Sequence, residues 1–225
     1  MMRTSLLLAA AALVAWGARA LLAQEPASHG HGDKYGNPHD LDSYIARLAS
    51  PERDAWQKPD ELVAALRLQP GQVACDVGAG PGYFALRLAR AVGESGLVYA
   101  VDVEPRILDA LRERLAQGPR NVVPVLALAA DPLLPPRACD LILVVNTFHH
   151  FPDPPSYLRR LARSLRPGGR IVNVDYEKKE TPFGPPLAQR VSREEFLRQA
   201  ESAGLTLAAE HKFLPYQYAL ELKAR

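Results

Sequence analysis

Between Gln72 and Lys223 the chain alternates short apolar runs with segments whose apolar residues recur at helical spacing. QVACDV, LVYAVD, NVVPVLAL, CDLILVV and GRIVNVDY read as strands, and YFALRLARAV and PRILDALRERLA read as amphipathic helices between the first three. CDLILVV is apolar nearly throughout, as a strand buried on both faces must be, and this predicts a parallel sheet covered by helices. A further helix starts at Asp153, with Pro154 in its first turn and Leu158, Leu161 and Leu165 on one face, and stops at RPGG. Ser192 and Glu195 form a capping box for SREEFLRQAESAG, which Gly204 ends. The last two strand-like runs, LTLAAEHKF and YQYALELK, are separated only by Leu214 and Pro215, which predicts an antiparallel hairpin. The pattern as a whole is a doubly wound, mostly parallel seven-stranded α/β sheet with a C-terminal antiparallel hairpin.

The segment before Gln72 divides differently. Residues 1–20 have Arg3 near the start, an apolar run from Leu6 to Trp16 and an A-x-A pattern at Ala18 to Ala20, which reads as a secretory signal peptide. Uncleaved, residues 5–22 could serve as an anchor; either way the domain is expected outside the cytoplasm, periplasmic or extracellular, with no stable span once the signal is removed. Residues 21–40 are rich in His, Gly and Pro without apolar periodicity and read as a flexible linker, in which His29, His31 and His39 lack the spacing of a closed metal site. The domain proper is then 41–225, with a helical cover over 41–70 formed by helices at Leu41 to Ala49 and from Pro59 to Leu68.

Composition adds exclusions. A chain of 225 residues that is 48% hydrophobic and 23% charged has enough apolar surface for a sizeable core. Without Arg3 and Arg19 the 27 basic residues fall to 25, against 25 acids, so the mature domain is formally neutral and carries no electrostatic footprint for nucleic acid. Its two cysteines lie on the first and fourth apolar strands. If the carboxyl ends of those strands align at Gly78 and Asn146, Cys75 and Cys139 are offset by four residues, about 13 Å, which predicts free buried thiols.

Ligands of such sheets sit at the carboxyl ends of the strands. That edge collects Asp76 with the loop Gly78, Gly80, Gly82; Asp102 with Glu104; Asp131; Asn146 to His150; and Asp175 with Tyr176. The glycine loop departs from the dinucleotide pattern, because Tyr83 stands three residues after Gly80 and the third glycine comes one place early at Gly82. No Gly-Lys-Ser/Thr follows, and Asp76 in front would repel a phosphate. A carboxylate there suits a cationic ligand.

DVGAGPGYF, VYAVDVEPRIL, CDLILVVNTFHHF and LRPGGRIVNVDY, in this order, resemble the class I S-adenosylmethionine-dependent methyltransferases, in particular the small-molecule group. The resemblance covers roughly Gln57 to Lys223. It implies S-adenosyl-L-methionine as cofactor, with Asp76 toward the methionine ammonium, Gly78, Gly80 and Gly82 at close backbone approach, Asp102 on the ribose hydroxyls, Val103 on the adenine, Asp131 toward the adenine amino group, and Asn146 as a further contact. Pro132 departs from the family pattern, since it offers the ring no N–H. His149 and His150 are the candidate catalytic bases, and Trp56, Gln57 and Tyr176 the candidate substrate contacts. The expected reaction is in-line methyl transfer to a small-molecule acceptor, with no metal required. The alternative is an exported, non-catalytic module binding S-adenosylmethionine or, through its histidine-rich tether, a metal. A nicotinamide-dependent reductase is disfavoured by the glycine spacing.

Overall fold

The structure is a computed structural model that describes residues 38–225. The signal-peptide reading of 1–20, His29, His31 and most of the linker lie outside the described residues, whereas His39 is exposed ahead of the first helix. No helix among the described residues is long and apolar enough to cross a membrane.

Seven strands, β1 (Val73–Val77), β2 (Leu97–Asp102), β3 (Val122–Leu126), β4 (Cys139–Val145), β5 (Leu165–Tyr176), β6 (Leu205–His211) and β7 (Gln217–Ala224), form one sheet in the order β3-β2-β1-β4-β5-β7-β6. The first five run parallel, and β7 lies antiparallel between β5 and β6. This is the mostly parallel sheet with a terminal antiparallel hairpin that the hydrophobic pattern predicts. Pro124 is accommodated in β3 because β3 is an edge strand.

Among the described residues seven α-helices accompany the sheet: α1 (Leu41–Ala49), α2 (Asp54–Gln57), α3 (Pro59–Ala65), α4 (Ala85–Val92), α5 (Pro105–Leu115), α6 (Pro154–Ser164) and α7 (Arg193–Ser202). Helices α3, α4 and α5 bury Leu62, Leu88 and Leu111 with Ala74, Leu141 and Leu143 on one face of the sheet. Helices α6 and α7 bury Leu158, Leu161 and Phe196 with Cys75, Ile142 and Val144 on the other. The caps form as the sequence indicates, with Asp153 accepting from the Ser156 amide and Ser192 from the Glu195 amide. Leu165–Tyr176 begins earlier than the alternation of GRIVNVDY suggests. Leu165 already pairs with Cys139, and RPGG bows out before the ladder resumes at Leu141 and Arg170.

The expectation of free thiols is overturned. Cys75 and Cys139 form a disulfide with their Cα atoms 6.2 Å apart. Two features of the strands account for it. Cys75 stands opposite Ile142, so the offset to Cys139 is three residues, one fewer than an alignment of Gly78 with Asn146 gives. The β4–β5 ladder is also irregular between Cys139 and Leu141, and Asp140 turns its carboxylate into the start of the sheet to accept the Val73 amide at 2.7 Å. Cys139 thereby falls on the face that carries Cys75 and Ile142.

The disulfide joins residues 64 apart at the centre of the sheet. By loop-closure entropy, its removal is expected to cost about 4 kcal/mol. The Cys75→Ser/Cys139→Ser variant should therefore unfold at clearly lower urea concentration. Thiol titration of the unreduced, unfolded wild type should find no free cysteine; two titratable thiols would contradict the pairing.

Candidate active site

The carboxyl end of β1 turns into the glycine loop, and all three glycines take left-handed φ, 76°, 56° and 88° at Gly78, Gly80 and Gly82. Space is also closed around two of them. A Cβ at Gly78 would lie 2.1 Å from Thr147 Oγ1, and one at Gly82 would lie 2.6 Å from a Leu111 methyl on α5. The loop therefore fits tightly between the β4 turn and α5, and the backbone of Gly80 is tied to Asp102, whose Oδ2 accepts its amide at 2.9 Å.

Asp102 is nearly buried at the end of β2, and its other oxygen accepts the Glu104 amide at 3.1 Å. Burial raises its pKa, and neighbouring backbone amides oppose the rise. A carboxylate has about four acceptor positions, so two remain for hydroxyls.

Asp76 is 2% exposed, and its Oδ2 has no hydrogen-bond partner. Burial pushes its pKa up to about 7; the Ala85 amide and the Arg53 guanidinium hold it down, while Asp102 adds to the rise. A buried, unpaired carboxylate oxygen is costly without a partner, and Asp76 stands two residues before the glycine loop.

The N-terminal helices close over this edge. Arg87 of α4 bonds Asp54 of α2 and Asp60 of α3, both at 3.0 Å, and the Tyr83 hydroxyl bonds Asp54 as well. The cover brings Leu48 to within van der Waals reach of Gly80 and sets Arg53 4.0 Å over the Tyr83 ring. Tyr44 of α1 has its pKa raised by burial and by the Asp102 charge.

Asn146, at φ 53°, joins a closed ring of amides. Gln57 donates to Gln217 at 2.6 Å, Gln217 to Asn146 at 2.6 Å, and Asn146 to Gln57 at 3.2 Å. These side chains tie α2, the β4 end and β7 together, so Gln57 and Asn146 are occupied by protein partners. Asp131 is occupied too. Arg160 of α6 bonds one oxygen at 2.6 Å and the Leu133 amide bonds the other at 3.0 Å.

His149 follows β4 and Asp175 ends β5; their side chains are 6% and 1% exposed. Nδ1 of His149 lies 3.0 and 3.2 Å from the two oxygens of Asp175, which also accepts the Tyr176 amide at 2.8 Å. The neighbouring His150 ring is 4.2 Å away. His150 is exposed as a residue, yet desolvation of its ring and the adjacent His149 bring its pKa down to about 4.

Trp56 is half-buried and stacks on Phe183, with centroids 5.2 Å apart, and tilts against Tyr176 at 5.7 Å. Tyr176 itself is buried, and a Cβ at Gly184 would meet its ring at 2.8 Å. Phe183 belongs to the segment between β5 and α7, which is organised by the buried Arg190. That guanidinium donates to the carbonyls of Glu177, Lys179, Phe183 and Pro185 and to the Thr181 hydroxyl. The two clefts that open elsewhere, one lined by Val63, Arg67 and Arg90 and one by Leu197, Thr206 and Leu222, include none of the strand-end residues. Among the described residues no three His, Cys, Asp or Glu side chains gather as a metal site.

The structure thus brings Asp76, the glycine loop, Asp102, Val103 and His149 to one edge. It also adds Arg53 and Phe183, which the sequence does not single out, and pairs Asp175, expected at this edge, with His149. The pairing follows from the strand order, since the ends of neighbouring β4 and β5 lie side by side, with Val145 opposite Val174. Arg53 and Phe183 come from segments without periodicity and left no such signal.

Residues 74–169 match the family model of a methyltransferase domain. Over 123 residues the chain is 31% identical to the ubiquinone/menaquinone biosynthesis C-methyltransferase UbiE of Vibrio vulnificus, covering 54% of this chain and 46% of that protein. It is 36% identical over 104 residues to the nocamycin O-methyltransferase of Saccharothrix syringae, covering 46% and 37%. The chain therefore spans about half the length, or less, of these curated relatives. A solved S-adenosylmethionine-dependent methyltransferase from Aquifex aeolicus superimposes with a TM-score of 0.76 at 28% identity, over 80% of this chain and 96% of that one. Residues 74–169 thus match a methyltransferase domain, and the chain around them has the fold of the class I methyltransferases.

Proposed function

We propose that the chain is an S-adenosylmethionine-dependent methyltransferase acting on a small-molecule acceptor. The observation that carries the proposal is the unpaired carboxylate oxygen of Asp76, buried beside a loop of three left-handed glycines. The residues present fit this cofactor. Asp76 receives the methionine ammonium, and Arg53, close enough to lower the Asp76 pKa, faces the accompanying carboxylate. Asp102, fixed by two amides, accepts the ribose hydroxyls, and Val103 packs on the adenine. Asp131, committed to Arg160 and the Leu133 amide, is left out of this set.

When bound, S-adenosylmethionine supplies a methyl group on a sulfonium, an already activated leaving group. What remains for the protein is to align the acceptor, exclude water and take up any proton the acceptor loses. The helical cover and the Arg190-organised segment exclude water, and His149 stands at the β4 end for the proton. The non-catalytic alternative differs in outcome: it would bind cofactor without turnover.

We also propose that the domain acts outside the cytoplasm. Residues 1–20 support this by their pattern, and the Cys75–Cys139 disulfide suits an oxidising compartment. Expressed in a secreting host, the protein should be recovered outside the cytoplasm with its N-terminus after Ala20. Protein retained in the cytoplasm with Met1 or Met2 at its end would refute this.

Asp76 yields two measurements. Its folded pKa, about 7, is above the ordinary 3.8, so the native state holds the proton more tightly than the unfolded chain. Its contribution to stability is therefore favourable below pH 4, is lost between pH 4 and 7, and stays lost above. Asp76→Asn should stabilise the unliganded domain relative to wild type by up to about 4 kcal/mol at pH 8 and by little at pH 4, as urea titrations would show. The same variant should lose the cofactor.

For wild type, calorimetry with S-adenosylhomocysteine should give affinity rising about tenfold per pH unit up to pH 7 and then levelling, with proton release below pH 7, because the ammonium selects the ionised carboxylate. Asp102→Ala should abolish this binding; unchanged affinity would exclude the ribose assignment.

A further inference from the structure

We propose that the Cys75–Cys139 disulfide is a redox gate on the cofactor site: the domain binds the cofactor firmly while the bond is closed and weakly once it is reduced. The inference rests on the methyl-transfer reading and adds a control to the same site.

The bond lies directly beneath the site. Cys75 is the residue before Asp76 on β1, and two residues after Asp76 comes Gly78, where an added Cβ would lie 2.1 Å from Thr147 Oγ1. Cys139 begins β4, and Thr147 stands two residues beyond its end at Val145. One pair of strands thus carries the disulfide in its body and the closest approach of the glycine loop at its carboxyl end. The spacing and register of β1 against β4 set that approach.

Between these strands the bond is a diagonal brace. Cys75 stands opposite Ile142, so the tie to Cys139 crosses three residues of register. The β1–β4 ladder begins only at Ala74 and Leu141, and the Val73 amide before it goes to the Asp140 carboxylate. On the other side, the β4–β5 ladder is irregular between Cys139 and Leu141. Regular pairing therefore gives the start of β4 little hold, and the disulfide supplies it.

Both cysteines are fully buried, in one cluster with Ile142, Leu161 and Phe196. Reduction takes two electrons and two protons from a dithiol, which itself becomes a disulfide, and leaves two thiols. The sulfur atoms, no longer bonded, must separate to van der Waals contact inside a filled core, and an overfilled core relaxes by moving backbone. The backbone with least to hold it is the start of β4 against β1. Asp76 is the next residue, so the shift reaches the carboxylate and the Gly78–Thr147 contact at once. The sequence has only two cysteines, so neither thiol has another partner within the chain.

Coupling of this kind is reciprocal. Whatever factor the closed bond adds to cofactor affinity, bound cofactor adds to the resistance of the bond to reduction. A chain in a reducing compartment is thus a weak binder, and its site matures in an oxidising one.

The test uses the full chain oxidised, the same protein reduced with dithiothreitol, the Cys75→Ser/Cys139→Ser variant, and Leu222→Ala, a core truncation on β7 that keeps the bond. S-adenosylhomocysteine is the probe, and circular dichroism checks that each form is folded. Equilibrium dialysis should give at least tenfold weaker binding to the reduced protein and to the double variant. Leu222→Ala, destabilised as well, should bind as wild type does. In dithiothreitol buffers of graded ratio, saturating S-adenosylhomocysteine should lower the midpoint potential of the disulfide by about 30 mV for each tenfold difference in affinity.

Equal affinity of the folded oxidised and reduced forms overturns the proposal, as does a midpoint that S-adenosylhomocysteine leaves unmoved. The same weakening in Leu222→Ala overturns it by tracing the loss to stability alone. A reduced chain that does not stay folded overturns it too, since the bond is then a staple of the fold and not a gate. If oxidised wild type fails to bind S-adenosylhomocysteine, the methyl-transfer reading itself fails and the gate with it.

Discussion

A carboxylate buried with one oxygen unpaired is an unstable thing to place at the middle of a sheet, and much of this domain is arranged around holding Asp76 there. Desolvation works against its charge, and only the Ala85 amide and the Arg53 guanidinium offset it. Such a group persists when its surroundings over-determine its position. One residue before it, Cys75 is covalently joined to β4; on either side β1 is in parallel register with β2 and β4; and beyond it the glycine loop is closed by Thr147, Leu111 and Asp102. Strand, staple and loop act on the same few residues, so the unfavourable charge cannot be relieved by a small backbone shift.

The same edge shows how a parallel sheet sorts charge by strand. Alternation sends Ala74 and Leu143 to the α4 side and Cys75 and Val144 to the α6 side. What leaves the strand ends therefore emerges on alternate sides of one line. Asp76 and Asp102 gather at β1 and β2, where a cationic and hydroxyl-bearing ligand fits, while His149 and Asp175 gather at β4 and β5. The amide ring of Gln57, Asn146 and Gln217 lies between the cover and the second group, and it spends three polar side chains on rigidity. Asn146 holds a left-handed φ there, a conformation an asparagine tolerates better than most residues.

Much of the fold was legible because it is written in periodicity. CDLILVV is buried on both faces as its composition requires, the hairpin follows from two strand runs with no room for a crossover, and the caps at Asp153 and Ser192 form as spelled. The disulfide was not legible, because it depends on a one-residue difference in register and on an irregularity at Asp140 that no propensity encodes. In the site, Asp76, Asp102 and His149 were found by position at strand ends. Arg53, Phe183 and the bonds that occupy Asp131 and Gln57 were not, since each depends on which loop or helix arrives opposite.

The loop CDVGAGPGYF shows why position and spacing must be read together with packing. Three close glycines invite a phosphate, but their side-chain space is filled by protein at Gly78 and Gly82, and the one amide of Gly80 is directed at Asp102. A phosphate cradle needs free N–H groups converging on an anion. Here two carboxylates flank the loop, the nearest amides are already engaged, and the unsatisfied atom is an acceptor. The field at this edge is therefore negative, and the ligand it stabilises must bring positive charge and hydroxyl donors. That condition excludes nucleotide phosphates on the same scaffold while admitting a cationic amino-acid end joined to a ribose.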